Sequence, residues 1–261
     1  MVIYHDMYYP PGNATRLLHI YLPRGYDASQ ERYPVMYMFD GHNLFFDERA
    51  TYGKSWGLLG ALDTWEKPMI VVGMECSHEG QSRLDEYGPY ARTIVGHKIQ
   101  PMGEQTFQWI INDVKPWVDA NLRTWAHREA TGIGGSSMGG IMSLYGAIVH
   151  NDVFGKAACL ATGVHWYERF VMRDLRASRI DPDTRVYLGY GEDEKGRTRA
   201  GADPATDSPE AKASARLTAA LEERGARTLT YFQAGGRHCE ASWEQQNRRW
   251  LDFLWLNREA Q

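Results

Sequence analysis

A chain of 261 residues, 43% hydrophobic and 24% charged, is long enough to bury one large core, and a single domain over 1–261 is the expectation. Its formal net charge of -4 spreads no basic field over the surface, which argues against nucleic acid and membrane as partners and for a small-molecule substrate; a homo-oligomer is left open. Cys76, Cys159 and Cys239 have no C-x-x-C spacing and suggest neither a disulfide framework nor a zinc site, so a reducing, cytoplasmic setting is expected. The N-terminus lacks a basic stretch followed by a long apolar run, and no segment approaches the roughly 18 apolar residues of a membrane span.

Along the chain, short β-branched and aromatic runs alternate with longer stretches of helical period. Strands are expected at Leu17–Leu22, Val35–Phe39, Met69–Glu75, Glu129–Ile133, Ala157–Ala161, Arg185–Tyr190 and Thr228–Gln233. Between Glu104 and Leu122 the apolar residues Phe107, Ile110, Ile111, Val114 and Trp117 recur at helical spacing, with Pro116 expected to kink or split the helix. Ser208-Pro209-Glu210 reads as a cap followed by a first-turn proline, opening a helix that ends before Gly225. A last helix is expected from about Ala241 to Leu256, and the polar stretch Glu192–Asp207 reads as a long loop after a strand. This alternation predicts an α/β fold with a mostly parallel central sheet, helices on both faces and little or no cap domain.

The run Thr131-Gly132-Ile133-Gly134-Gly135-Ser136-Ser137-Met138-Gly139-Gly140 contains G-x-S-x-G as Gly135, Ser137 and Gly139. It lies between a predicted strand and an apolar helix, the context of the nucleophile elbow in α/β-hydrolases. A strained turn lifts the serine, and the glycines let strand and helix backbones approach without Cβ clashes. A dinucleotide loop is the rival reading of Gly132-x-Gly134-x-x-Ser137. It lacks the third small residue, and no acidic residue ends the strand Ala157–Ala161.

A serine hydroxyl needs a base to take its proton, and the base needs an orienting acid. The order in this fold is serine, acid, histidine. His238 follows the last predicted strand and precedes the last helix, where the base is expected; His150 and His165 fall too early. The acid should leave the penultimate strand, where Tyr190-Gly191-Glu192-Asp193-Glu194 offers three carboxylates. The oxyanion hole is expected to use the backbone N–H of Met138 and one from Asp40-Gly41-His42-Asn43, His42 first and Gly41 second.

These segments, with Met38-Phe39-Asp40-Gly41-His42-Asn43-Leu44-Phe45 and His238-Cys239-Glu240-Ala241-Ser242-Trp243, resemble the esterase family that includes esterase D, feruloyl esterases and enterochelin esterases, all α/β-hydrolases. The resemblance runs from about Leu17 onward. It implies ester hydrolysis without metal or organic cofactor, and it selects Glu194, three residues past Gly191, as the acid beside Ser137 and His238; Asp193 is the runner-up, since a loop shifted by one residue would present its shorter carboxylate instead. The family also holds acyltransferases and thioesterases. Ala161-Thr162-Gly163-Val164-His165-Trp166 departs from it in lacking a serine-rich stretch.

Asp40, His42 and His78 share no metal-ligand spacing and are assigned to separate loops, so no metal is expected. Trp56 and Trp166 are placed in loops near the mouth of the site, as substrate-lining residues or as core. Arg83 and Glu86 are expected to pair with each other, and Cys239 to be a small packed side chain. The leading reading is a serine esterase acting on small or medium acyl esters, aromatic or sugar-linked ones included. An acyltransferase or thioesterase with the same triad is the alternative, and a catalytically silent binding protein is the reading outside enzymes.

Overall fold

The computed structural model describes residues 1–94, 96–193 and 202–258. They fall into two compact units, Met1–Gly132 and Ile133–Gln261.

In the first unit, β1 (Val2–Tyr9) and β2 (Ala14–Tyr21) form an antiparallel hairpin, Val2 opposite Tyr21 and Tyr9 opposite Ala14. β1 was not expected from the sequence, because His5 and Asp6 interrupt its apolar character. Its pattern is that of an edge strand: Ile3, His5, Met7 and Tyr9 are covered while Tyr4, Asp6 and Tyr8 face solvent. β3 (Val35–Phe39) has the expected bounds. It runs parallel to β4 (Ile70–Met74), Val35 opposite Ile70 and Phe39 opposite Met74, and every residue of both strands is buried. β4 is in turn antiparallel to β2.

α1 (Leu58–Thr64) lies between β3 and β4 in the chain, and α2 (Ser82–Glu86) follows β4. A small antiparallel pair, β5 (Thr93–Ile94) and β6 (His97–Lys98), comes next. The long helix expected around Pro116 is split into α3 (Gly103–Trp109) and α4 (Lys115–Asn121) by a π-helical turn over Ile110–Val114. Proline has no N–H to donate and its ring crowds the preceding turn, which the wider π turn relieves. This helical stretch covers the inner face of β1. His5 stacks on Trp117 at 3.8 Å between ring centroids, and Tyr9 meets Trp109 edge-on at 5.1 Å.

β7 (Thr131–Ser136) crosses into the second unit and leads into α5 (Met138–Val149), which is buried except at Tyr145 and Val149. β8 (Lys156–Leu160) lies beside β7 and is followed by α6 (Val164–Ala177). β9 (Arg185–Asp193) runs parallel to β8. The short α7 (Pro204–Asp207) and α8 (Pro209–Glu222) lead to β10 (Arg227–Arg237), parallel to β9. α8 is capped as its sequence predicts: Ser208 Oγ accepts the Ala211 N–H at 3.1 Å, and Gly225, at φ 92°, follows its end.

The last expected helix is broken into α9 (Glu240–Glu244), α10 (Asn247–Leu251) and a π turn over Asp252–Leu256. At the first break Gln246 is drawn inward, accepting from the Tyr187 hydroxyl at 2.8 Å and donating to Gln233 at 2.9 Å. The strands β8, β9 and β10 are parallel with helices between them, and the fold is mixed α/β. No described helix is long and apolar enough to cross a membrane.

Candidate active site

Ser137 sits between β7 and α5 with φ 57° and ψ -123°, a backbone conformation that a residue with a side chain adopts only under constraint. Its N–H donates to Leu160 O at 2.9 Å, and its carbonyl accepts the Ile141 N–H at 3.1 Å. The glycines of the motif have a steric reason. A Cβ on Gly140 would stand 2.4 Å from Leu160 O, and one on Gly135 would stand 2.9 Å from the Gly139 carbonyl carbon. Ser136, the neighbour, is buried in β7, whereas Ser137 is half-buried.

Met138 is the first residue of α5, so its N–H belongs to the helix end whose donors lack intrahelical partners. Its sulfur accepts the Tyr167 hydroxyl at 3.7 Å, which brings the first turn of α6 against the elbow. That turn holds Trp166, which is half-buried on a helix rather than in the expected loop. The reason is a cap supplied from far along the chain. Glu210 is buried and accepts from the N–H groups of Val164 and His165 at 3.1 and 3.2 Å, from Thr162 Oγ1 at 3.1 Å, and pairs with His165 Nδ1 at 2.5 Å. His165 is thus a structural partner of Glu210.

His238 directly follows β10; it is exposed, and its ring meets buried Trp243 edge-on at 5.4 Å. The Ser137 N–H bond to Leu160, the last residue of β8, brings the carboxyl ends of β7 and β8 together. With β8, β9 and β10 parallel, Ser137, the acidic run and His238 all leave carboxyl strand ends of the second unit, where α/β sheets bind ligands.

The acidic run is divided by the structure. Glu192 Oε2 accepts the Gly235 N–H at 2.8 Å, fixing the turn that precedes His238. Asp193 is exposed and stands opposite Arg237 across a shift in register after Gln233. Gly191 is required here, since a Cβ would stand 2.6 Å from Gly236 O. Glu194 lies outside the described residues. Cys239 is half-buried and precedes α9, its sulfur 3.7 Å from Ser242 Oγ.

In the first unit, the loop after β3 carries His42 on a 3-10 turn over Gly41–Asn43, held by Asn43 N–H to Asp40 O at 2.9 Å and Leu44 N–H to Gly41 O at 3.4 Å. Neither bond uses the His42 N–H. Asp40 itself has φ 58°. Arg83 does not pair with Glu86. Its guanidinium grips Asp40 instead, and Glu86 pairs with Arg16 and accepts the Ser77 N–H at 2.9 Å. Spacing along α2 suggested the wrong partners because both true ones are distant in sequence, Arg16 in β2 and Asp40 at the turn out of β3. Burial pushes the Asp40 carboxyl up, but the charge and hydrogen bonds of Arg83 outweigh it and hold the group below the usual carboxylate range. Trp56 is buried at 2% exposure, its N–H donating to Asn43 O at 2.8 Å, so it packs beneath this loop instead of lining a loop surface.

The sequence assigned His42 and His78 to separate loops. Folding brings their rings to 4.6 Å between centroids, with Glu75 beside them. Burial, with a smaller contribution from the neighbouring His78 charge, holds the His42 imidazole below its ordinary value against the pull of Asp40 and Glu75. Burial pushes the Glu75 carboxyl up, but the hydrogen bond from His19 and the charges of His19, His42 and His78 together hold it below its ordinary value.

Residues 13–249 match the family described as Putative esterase. The chain belongs to this esterase family. Accordingly the esterase is a carboxylic ester hydrolase, and the fold expected from the resemblance is the one observed. It is 26% identical over 185 residues to "Uncharacterized protein YbbA" of Bacillus subtilis, covering 69% of each chain. It is 32% identical over 142 residues to "Esterase Rv1288" of Mycobacterium tuberculosis, covering 54% of this chain and 28% of that longer protein. Among solved structures it is similar to an IroE-like serine hydrolase from Shewanella oneidensis, with a TM-score of 0.73 at 17% identity over 97% of this chain and 81% of the other.

Proposed function

We propose that the esterase works through an acyl-serine intermediate, with Ser137 as nucleophile, His238 as general base and Glu194 as the orienting acid. The observation that carries this reading is the backbone of Ser137, held at φ 57° between β7 and α5 by glycines that no other residue could replace without a clash. His238 takes the Ser137 Oγ proton as the oxygen attacks the ester carbonyl. The tetrahedral oxyanion is met by the Met138 N–H at the positive end of α5. His238 then protonates the departing alcohol, and afterwards deprotonates the water that releases the acid.

Three carboxylates compete for the acid, and the surroundings of Glu192 and Asp193 speak against those two, which leaves Glu194, the residue the family resemblance selects. Glu192 is occupied with the Gly235 N–H. Asp193 pairs in register with Arg237, and alternation along an extended chain turns the next residue, His238, to the opposite face. The exposure of His238 admits water to the acyl-enzyme, which favours hydrolysis over transfer to a second alcohol or amine.

For substrate, small or aromatic acyl esters fit best. The aromatic ring of Tyr167, whose hydroxyl reaches the Met138 sulfur, flanks the elbow, and half-buried Trp166 precedes it on the same turn of α6. The stretch that follows β9 in the sequence, up to Asp207, is too charged to cover a greasy groove. Free Cys76, Cys159 and Cys239 fit a reducing, cytoplasmic compartment.

The test is covalent labelling. A fluorophosphonate probe should modify the protein once, at Ser137 by peptide mapping, and Ser137→Ala should remove both labelling and ester turnover while the far-ultraviolet circular dichroism is unchanged. A label on Ser136 or Cys239 would refute the assignment.

A further inference from the structure

We propose that His42, Glu75 and His78, all in the first unit, form a binding site for a divalent transition-metal ion of the zinc class. β3 and β4 are neighbouring parallel strands with Phe39 opposite Met74, so the segments that follow them leave the same edge. One carries His42 and the other Glu75 and His78. A ligand atom from each of the three lies within 4.8 Å of the others, the only such cluster of three among the described residues.

The hydrogen bonding at each residue leaves a lone pair for an ion. His42 is 6% exposed, its Nε2 lies 3.0 Å from Thr51 Oγ1, and its Nδ1 is buried with no hydrogen-bond partner among the described residues. With the proton on Nε2, facing Thr51, Nδ1 presents an unused lone pair; a buried acceptor left in that state is costly unless something meets it. Glu75 Oε1 is held by buried His19 Nε2 at 2.7 Å, which orients the carboxylate and leaves Oε2 free to bind. His78 Nε2 stands 3.7 Å from that Oε2.

Ligands around tetrahedral zinc, at bonds of about 2.0–2.2 Å, lie about 3.3–3.5 Å from one another. The three ligand atoms, within 4.8 Å of one another, are spaced more loosely than this, and His78, whose side chain is 58% exposed, is the ligand with room to turn toward an ion. Two imidazoles and one carboxylate suit zinc, nickel or copper(II); magnesium and calcium require oxygen ligands, and copper(I) prefers thiolate. The Cys76 thiol is not part of the set, since it is buried and directed at Asp40 Oδ1 at 3.5 Å. Water would complete the coordination on the exposed side of His78. An ion there would tie the loop carrying His42 to the loop after β4.

Purified protein is titrated with Zn2+ in competition with a chromophoric chelator, and with Co2+ as a spectroscopic substitute. Wild type is expected to bind one equivalent, with a visible Co2+ band for nitrogen and oxygen ligation. His78→Ala and Glu75→Gln should each weaken binding at least tenfold with unchanged circular dichroism. His127→Ala, which removes an exposed histidine paired with Glu129, should bind as wild type does. Absence of one-to-one binding by wild type overturns the site, as does binding within tenfold of wild type in either ligand variant or an equal loss in His127→Ala.

Discussion

Arg83 holds Asp40 through two hydrogen bonds of 2.7 Å, from Nε to one carboxylate oxygen and from Nη2 to the other. The pair fixes the residue that turns the chain out of β3, because Asp40 must stay at φ 58° for the 3-10 turn bearing His42 to follow. Breaking one side of a buried pair leaves the other charge unmatched, at about 3–5 kcal/mol. The Arg83 side chain is 29% exposed, so water recovers part of that loss. Arg83→Met is expected to lower stability by about 2–3 kcal/mol at pH 7 in urea unfolding. The sign with pH follows from the lowered carboxyl value of Asp40. Its contribution is complete above about pH 4, the unfolded value, and is lost as pH falls through the lower folded value. The gap between wild type and variant should therefore narrow below pH 4, and a gap that widened there would contradict the pairing.

The elbow stores strain that can be released by one substitution. Glycine adopts positive φ without penalty, so Ser137→Gly should abolish turnover yet raise stability by about 1 kcal/mol relative to Ser137→Ala. Chemical denaturation of the two variants side by side reads this directly. If Ser137→Gly is the less stable, the backbone at that position is relaxed.

Gly140 presents the opposite case. An added methyl at 2.4 Å from Leu160 O must push α5 away from the end of β8. Gly140→Ala should cost about 2–3 kcal/mol, in the range of overpacked cores, and should lower turnover because Ser137 moves with the helix. Normal melting temperature together with normal turnover would show that the close approach is unimportant.

For the acid, Glu194→Gln should lower kcat by a hundredfold or more with KM nearly unchanged, because an orienting carboxylate acts in the transition state. Glu192→Gln and Asp193→Asn should each change the rate by less than about tenfold, since a glutamine oxygen still accepts the Gly235 N–H and Asp193 is exposed. If Asp193→Asn proves the crippled variant, the acid has been misplaced by one residue.

What could be read from the chain follows a physical division. β3 was legible to the residue because five consecutive buried side chains leave no ambiguity, and the Ser208 cap because local hydrogen bonding is written locally. The strained turn at Ser137 between β7 and α5 was legible for the same reason, its glycines being neighbours in sequence. β1 was not, since an edge strand with one wet face tolerates His5 and Asp6. Nor was the partner of Arg83, 43 residues away, or the meeting of His42 with His78. Both depend on β3 and β4 lying side by side, which no spacing rule along a single segment can express.

The cap on α6 has a consequence for how the chain is made. Glu210 lies 45 residues beyond His165, whose N–H it accepts, so a nascent chain emerging from the ribosome presents the start of α6 before its cap exists. Until α8 begins to form, the turn that carries Trp166 and supports Met138 has only Thr162 Oγ1, which accepts the Val164 N–H at 3.2 Å, and no anion to meet its amide groups. The elbow motif is translated before Glu210, so its support is completed late, and a chain arrested before Glu210 would hold Ser137 against a helix without its anionic cap.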